Sequence, residues 1–253
     1  MRGDPPRLIW PRRSVQAFGY APQNHCSTAV TECFVLANQL LETNLTVNPA
    51  PRLPAPRLPV ADAPAGIRCC SPNSTGRTAL EAFIQDGFQR QHGAAVHSFM
   101  PVLIGMFDAA GNVIGAAGYR PAARDPLYLE QYLGEPIEAV VARRFPALTV
   151  TRTDIAEIGN FACRDCATAM RMVEVLADLL HARGHRWTVF TATRTVRGIL
   201  RHLGISLTEL GRADKSRVVI AGDDWGRYYQ TDPRVMLGYV PSWRGACSRA
   251  RSA

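Results

Sequence analysis

The period of the apolar positions changes twice between residues 154 and 203. The run DIAEIGNFA is strand-like and apolar, and it carries Glu157 and Asn160 inside it. Beyond it, Ala169, Met172, Val173, Leu176, Ala177 and Leu180 recur at the i, i+3, i+4, i+7 spacing of one buried helical stripe. Arg171, Glu174, Asp178 and His181 fall on the opposite side. This spacing predicts a helix from about Ala167 to Arg183, ended by Gly184, which can take the left-handed conformation of a C-cap. WTVFTA (residues 187–192) is apolar on both faces and reads as a central, doubly covered strand. A further helix follows and closes at Gly204. Strand, helix and strand of this length imply parallel strands joined by a right-handed crossover. Such units place ligands at the carboxyl ends of their strands, facing the next helix N-terminus, here residues 161–168.

The same reading continues outward. Gly66 to Cys70 predicts a strand, and Ser74 or Thr75 a cap for a helix reaching Gln91. Met100–Phe107 and Val113–Tyr119 flank the turn sequence DAAGN and form an antiparallel hairpin. Leu127–Leu133 is helical, and Pro136 opens another helix to about Arg144. Ile205–Leu210 and Arg234–Val240 are strands, with an aromatic-rich stretch at 225–230 between them. The resulting order, β-α-β-β-α-β-α-β-α-β-β, is a mixed α/β sheet that begins antiparallel and finishes around a parallel pair. Residues 1–65 differ in kind. Apart from a short helical pattern at 27–41, they run into the proline repeats of NPAPRLPAPRLPVADAPAG. Proline removes backbone donors and favours extended chain, and so little apolar surface cannot offset the entropy of ordering. The expected organisation is a disordered extension at 1–65, a folded domain at 66–241 and a basic tail at 242–253.

The formal charge of +8 adds little to this picture. Arg2, Arg7, Arg12, Arg13, Arg52 and Arg57 precede the domain, and Arg244, Arg249 and Arg251 follow it. No nucleic-acid-binding motif accompanies the charge, so no nucleic-acid partner is expected. The seven cysteines are odd in number and irregularly spaced, which argues against a disulfide framework. Cys163 and Cys166 form a CxxC without the second ligand pair that a tetrahedral zinc site needs, so no metal is expected. No apolar run is long enough to span a bilayer, so integral membrane association is not expected and the expected location is cytoplasmic.

Four segments together carry a resemblance: LYLEQYLGEPIE (127–138), EIGNFA (157–162), WTVFTATRTVRGIL (187–200) and WGRYYQTDPRVMLGYV (225–240). Over roughly residues 75–241 the chain resembles the thermostable hemolysin family. Its element order resembles the GNAT-type N-acyltransferase fold, a mixed sheet flanked by helices. The EIGNFA strand is similar to the ExSRFA strand of acyl-homoserine-lactone (autoinducer) synthases, which share that fold. The resemblance implies an acyltransferase that moves an acyl group from acyl-CoA, or from the phosphopantetheine arm of an acyl-carrier protein, to a small amine.

Carried onto this sequence, the resemblance assigns Glu157 as the base or amine-binding group, with Asn160 where the synthases have arginine and Thr191 at the end of the second strand. It implies that the cofactor is held at the helix start by Arg164, Cys166, Ala167, Thr168 and Ala169. The loop lacks the glycines of the Q/RxxGxG/A pattern, which makes a carrier-protein donor more plausible. Arg197 lies on a basic face with Arg194 and Arg201, either suited to an anionic cofactor or carrier or simply solvated, and Tyr228 and Tyr229 are expected either to line a substrate pocket or to pack in the core. Two rival readings stand beside this one. The family name implies a membrane-damaging hemolysin, although no amphipathic or spanning element is apparent. The missing glycines favour a non-catalytic binding domain on the same fold.

Overall fold

A computed structural model describes residues 66–218 and 223–252. The extension expected at 1–65, with its helical pattern at 27–41, lies outside the described residues.

Among the described residues, seven strands form one sheet: β1 (Gly66–Cys70), β2 (Val102–Phe107), β3 (Val113–Pro121), β4 (Ile155–Cys163), β5 (Trp187–Ala192), β6 (Leu207–Arg212) and β7 (Arg234–Tyr239). Their order is β1-β2-β3-β4-β5-β7-β6. β4 and β5 pair in parallel, and the other five neighbouring pairs are antiparallel. The parallel pair therefore sits at the centre, because β7 returns to lie between β5 and β6 and continues the sheet.

Helices cover both faces. On one face lie α1 (Arg77–His92), the short α2 (Glu130–Leu133) and α3 (Ile137–Arg144). On the other lie α4 (Cys166–Ala182), α5 (Arg194–His202) and α6 (Val240–Ser252). The stripe read from the sequence is the buried face of α4, with all six of its positions in the core. Alternation along the strands divides the core. Ala156, Ile158, Phe190 and Met236 pack beneath α4, and Ile155, Val189, Val235 and Leu237 pack with residues of α2 and α3. A third cluster seats Leu80 and Ile84 of α1 on Leu103 and Ala116.

Three local expectations change. The α1 N-cap is Gly76, at φ 87°, rather than Ser74 or Thr75. Ser74 instead closes a turn, its Oγ accepting the Ser71 N–H at 2.8 Å. The helix expected from Leu127 begins at Glu130. The basic stretch expected as a tail from 242 folds as α6, with Trp243 and Ala246 buried. Its arginines hide this in the sequence, but Trp243 supplies an apolar anchor. Its ring lies on Gly238 of β7, where an added Cβ would come within 2.7 Å of it.

Candidate functional site

The site begins where the parallel pair parts. Pairing between β4 and β5 ends at Ile158 and Phe190, although both strands run on. β5 stays with β7 through Ala192, and β4 stays with β3 through Cys163. A gap therefore opens in the middle of the sheet. Among the described residues, the β4 edge that faces it has no strand partner from Gly159 onward. A bulge reinforces the opening. The β3–β4 register shifts between Ala116 and Gly118, and Asn160 takes φ 52° within it. A non-glycine residue at positive φ needs compensation, and asparagine tolerates it best. Here the Asn160 side chain provides it, accepting the Met100 N–H at 2.7 Å and donating to the Ser98 carbonyl at 3.1 Å. The amide thereby straps the 98–100 segment onto the sheet. Gly159 makes room for it, since a Cβ there would meet Met100 Cε at 2.5 Å.

A cavity of about 170 Å³ passes through this gap. On the α1 side its walls are aromatic: Phe88, His92, Tyr128, Trp225 and Tyr228. On the α4 side they are largely aliphatic: Val173 and Leu176 of α4, Ile199 and Leu200 of α5, with Trp243 of α6. Glu157, Asn160 and Thr191 all line it. The structure thus brings together the three residues expected to be catalytic, together with Tyr228.

Glu157 is 3% exposed and points to the aromatic side. Its carboxylate accepts the N–H of Tyr128 at 2.9 Å and of Leu129 at 3.0 Å, which fixes the loop entering α2. Burial pushes its pKa up to about 7, against the pull of the Tyr128 N–H and of the Arg120 guanidinium across the β3–β4 pair. A carboxyl poised near neutrality can accept a proton at working pH. His92 moves the other way. Burial first, and then the charge of Arg227, lower it to about 4, so its ring is neutral. It packs edge-on against Tyr228 with ring centroids 5.3 Å apart.

The group expected to hold the cofactor is placed elsewhere. None of Arg164, Cys166, Ala167, Thr168 and Ala169 lines the cavity. Asp165 caps α4, its Oδ1 accepting the Thr168 N–H at 2.7 Å and its carbonyl the Ala169 N–H at 3.0 Å. The Arg164 N–H donates to the Ile114 carbonyl at 2.8 Å, and its guanidinium pairs with Asp165 at 3.2 Å. The helix start therefore already carries a carboxylate where an anion would bind. Burial pushes the Cys163 thiol far up, so it is not a ready thiolate. Arg197 binds the Ala192 carbonyl at 2.9 Å and Asp232 Oδ2 at 2.9 Å, which commits it to the turn before β7. Tyr229 lies outside the lining and bonds the Tyr132 hydroxyl at 2.8 Å. Thr193 caps α5, its Oγ1 accepting the Val196 N–H at 3.4 Å.

The sequence reading missed His92, Tyr128 and Trp243. Tyr128 had a signal, since it belongs to LYLEQYLGEPIE. His92 ends a helix whose stripe gives no hint of a pocket, and Trp243 stands among arginines. Among the described residues, no group of three or more His, Cys, Asp or Glu is placed to hold a metal ion.

Set against known proteins, this architecture, a mixed sheet with a central parallel pair that parts over a cavity, is similar in fold to solved structures. TofI in its apo form superposes with a TM-score of 0.50 at 15% identity, covering 72% of this chain and 96% of that one. MesI, a CoA-dependent acyl-homoserine lactone synthase, gives 0.46 at 15% identity over 74% and 96%. FeeM, an N-acyl amino acid synthase from uncultured soil microbes, gives 0.46 at 16% identity over 72% and 98%. No curated protein matches the sequence. The particular family comes from the sequence itself. Residues 70–242 match Thermostable hemolysin, and the chain belongs to that family.

Proposed function

We propose that this thermostable hemolysin family member is an N-acyltransferase that moves an acyl group from a phosphopantetheine thioester to a small amine. The observation that carries the reading is the cavity through the opened β4–β5 pair, with a buried carboxyl of pKa about 7 on its wall. The pantetheine arm would lie along the open β4 edge, pairing its amides with the unpaired backbone there. The acyl chain would enter the aliphatic compartment. The amine would approach from the aromatic side, near Glu157. Its nitrogen attacks the thioester carbonyl, the C–N bond forms, the C–S bond breaks and the thiolate leaves. Glu157 takes the proton the nitrogen must lose and returns it to the thiolate.

The carboxylate of Asp165 at the α4 start favours a carrier-protein donor over free acyl-CoA, since a carrier supplies its own contacts while CoA relies on a phosphate cradle. Titrating the protein with decanoyl-CoA and with decanoyl carrier protein, following thiol release and product mass, tests both statements. Donor binding and thiol release that depend on an added amine support the reading. No binding of either donor would sink it.

A further inference from the structure

The walls of the aromatic compartment constrain what the acceptor is. Five rings from three chain segments converge there. Trp225 packs on Tyr228 with centroids 5.1 Å apart and on Tyr128 at 6.3 Å, and Phe88 stacks on Tyr228 at 6.4 Å. His92 completes the box with a neutral ring. The charges on the lining are of one sign: Glu157 at the gap and Asp223 beside Trp225. Asp223 Oδ1 accepts the His97 N–H at 2.6 Å and retains lone pairs for a ligand. Among the described residues, no lysine or arginine lines the cavity. Arg227 acts on His92 by its charge but is not on the lining. Two donors on the wall are buried without a hydrogen-bond partner among the described residues: Trp225 Nε1–H and the Tyr128 hydroxyl.

We propose that the acceptor is a primary amine with a flat apolar body and no carboxylate, held in the box of Phe88, His92, Tyr128, Trp225 and Tyr228. The inference rests on the acyltransferase reading above and adds the class of acceptor. A carboxylate taken into this compartment would lose its water and meet two carboxyl groups, and two neutral donors, the Trp225 N–H and the Tyr128 hydroxyl, cannot offset that without a cation. An ammonium meets the reverse: aromatic faces attract it, and Glu157 and Asp223 favour it. The flat body gains the ring contacts. Bound this way, the ammonium lies toward Glu157; it releases one proton to solvent to expose its lone pair, and Glu157 takes the second as the C–N bond forms and passes it to the leaving thiolate. The Trp225 N–H remains for a neutral oxygen, such as a hydroxyl on the acceptor.

Matched pairs that differ only by the carboxylate test this: tyramine against tyrosine, and phenethylamine against phenylalanine. Binding is measured calorimetrically on the full chain without any donor, so that it does not depend on turnover. The amines are expected to bind about tenfold or more tighter than their amino acids, a step of the size that an unpaired buried charge produces. Trp225→Leu should weaken tyramine binding. Gln91→Arg, which adds a cation to the lining, should narrow the preference by improving tyrosine. Equal or tighter binding of the amino acids overturns the inference. So does an absence of binding by both members of each pair up to about 10 mM, above the usual range of substrate affinity. If the amines bind as expected but no acyl donor is bound or consumed, the box stands and the acyltransferase reading falls.

Discussion

The two compartments of the cavity meet at one gap and are built in opposite ways. The aliphatic compartment lies inside the largest core cluster, between α4, α5 and the sheet. Its residues come from the apolar faces of helices packed on the sheet. The aromatic compartment is assembled from α1, the loop before α2 and the stretch at 223–228, which are far apart in the chain. It also holds Glu157, the carboxyl that burial has shifted to about 7. One side is ordinary core with room left in it. The other gathers groups that cost stability to bury, so the proposed chemistry belongs to the aromatic side and the proposed acyl chain to the aliphatic one.

Glu157→Gln should have the largest effect. Acyl transfer is expected to fall by about a hundredfold or more, the usual range for a lost acid–base group. In the wild type, the rate should rise with pH through about 7 as the carboxylate forms. Stability runs the other way. The raised pKa means that the folded chain binds the proton more tightly, so this contribution is complete below about 4.5 and lost as pH rises through about 7. The glutamine substitution, which leaves nothing to titrate at this position, should flatten both curves. A rate limb near 7 that survives the substitution would remove Glu157 from the chemistry.

Trp243→Ala probes the opposite compartment. Truncating a fully packed aromatic costs about 3–5 kcal/mol, so the thermal midpoint should fall sharply. In the folded fraction the preferred acyl chain should lengthen, each added methylene being worth about 0.8 kcal/mol. Acceptor preference should not change. A variant that alters the acceptor and not the donor would reverse the assignment of the two sides.

Asn160→Ala should cost about 2 kcal/mol, because it releases two backbone partners and leaves alanine at positive φ. Asn160→Gly loses the same bonds without the conformational penalty and should be the milder change in denaturant titration. If the two are equal, the left-handed backbone is not what asparagine is there to relieve. Smallest is Thr193→Ala at the start of α5, expected to cost about 1 kcal/mol in thermal unfolding. Activity should be unchanged, since its hydroxyl serves the helix.

Much of this was visible in the chain. The stripe from Ala169 to Leu180 named the buried face of α4 residue by residue. The doubly apolar WTVFTA named the central strand, and its link to β4 through a helix required the pair to be parallel. Glu157 was legible too, because a carboxyl inside an apolar strand must be either paired or shifted, and it is both. The cofactor loop was not. Arg164 to Ala169 lie at the start of α4, where the Asp165 side chain accepts the Thr168 N–H, a contact that no periodicity records. Arg197 shares a helical face with two other arginines, and nothing local shows that Asp232 claims it.

What the sequence by itself determined was periodicity, and with it the elements, their buried faces and the single parallel crossover. These are local properties, set by side-chain order along one segment at a time. Only the tertiary structure decided that β7 inserts beside β5, that the parallel pair parts after Ile158, and that Phe88, Tyr128 and Trp225 reach one box. It also turned the basic C-terminal stretch into a helix whose Trp243 closes the other compartment. Each of these depends on contacts between segments distant in the chain, where apolar surface from one finds space left by another. No spacing within a segment records that.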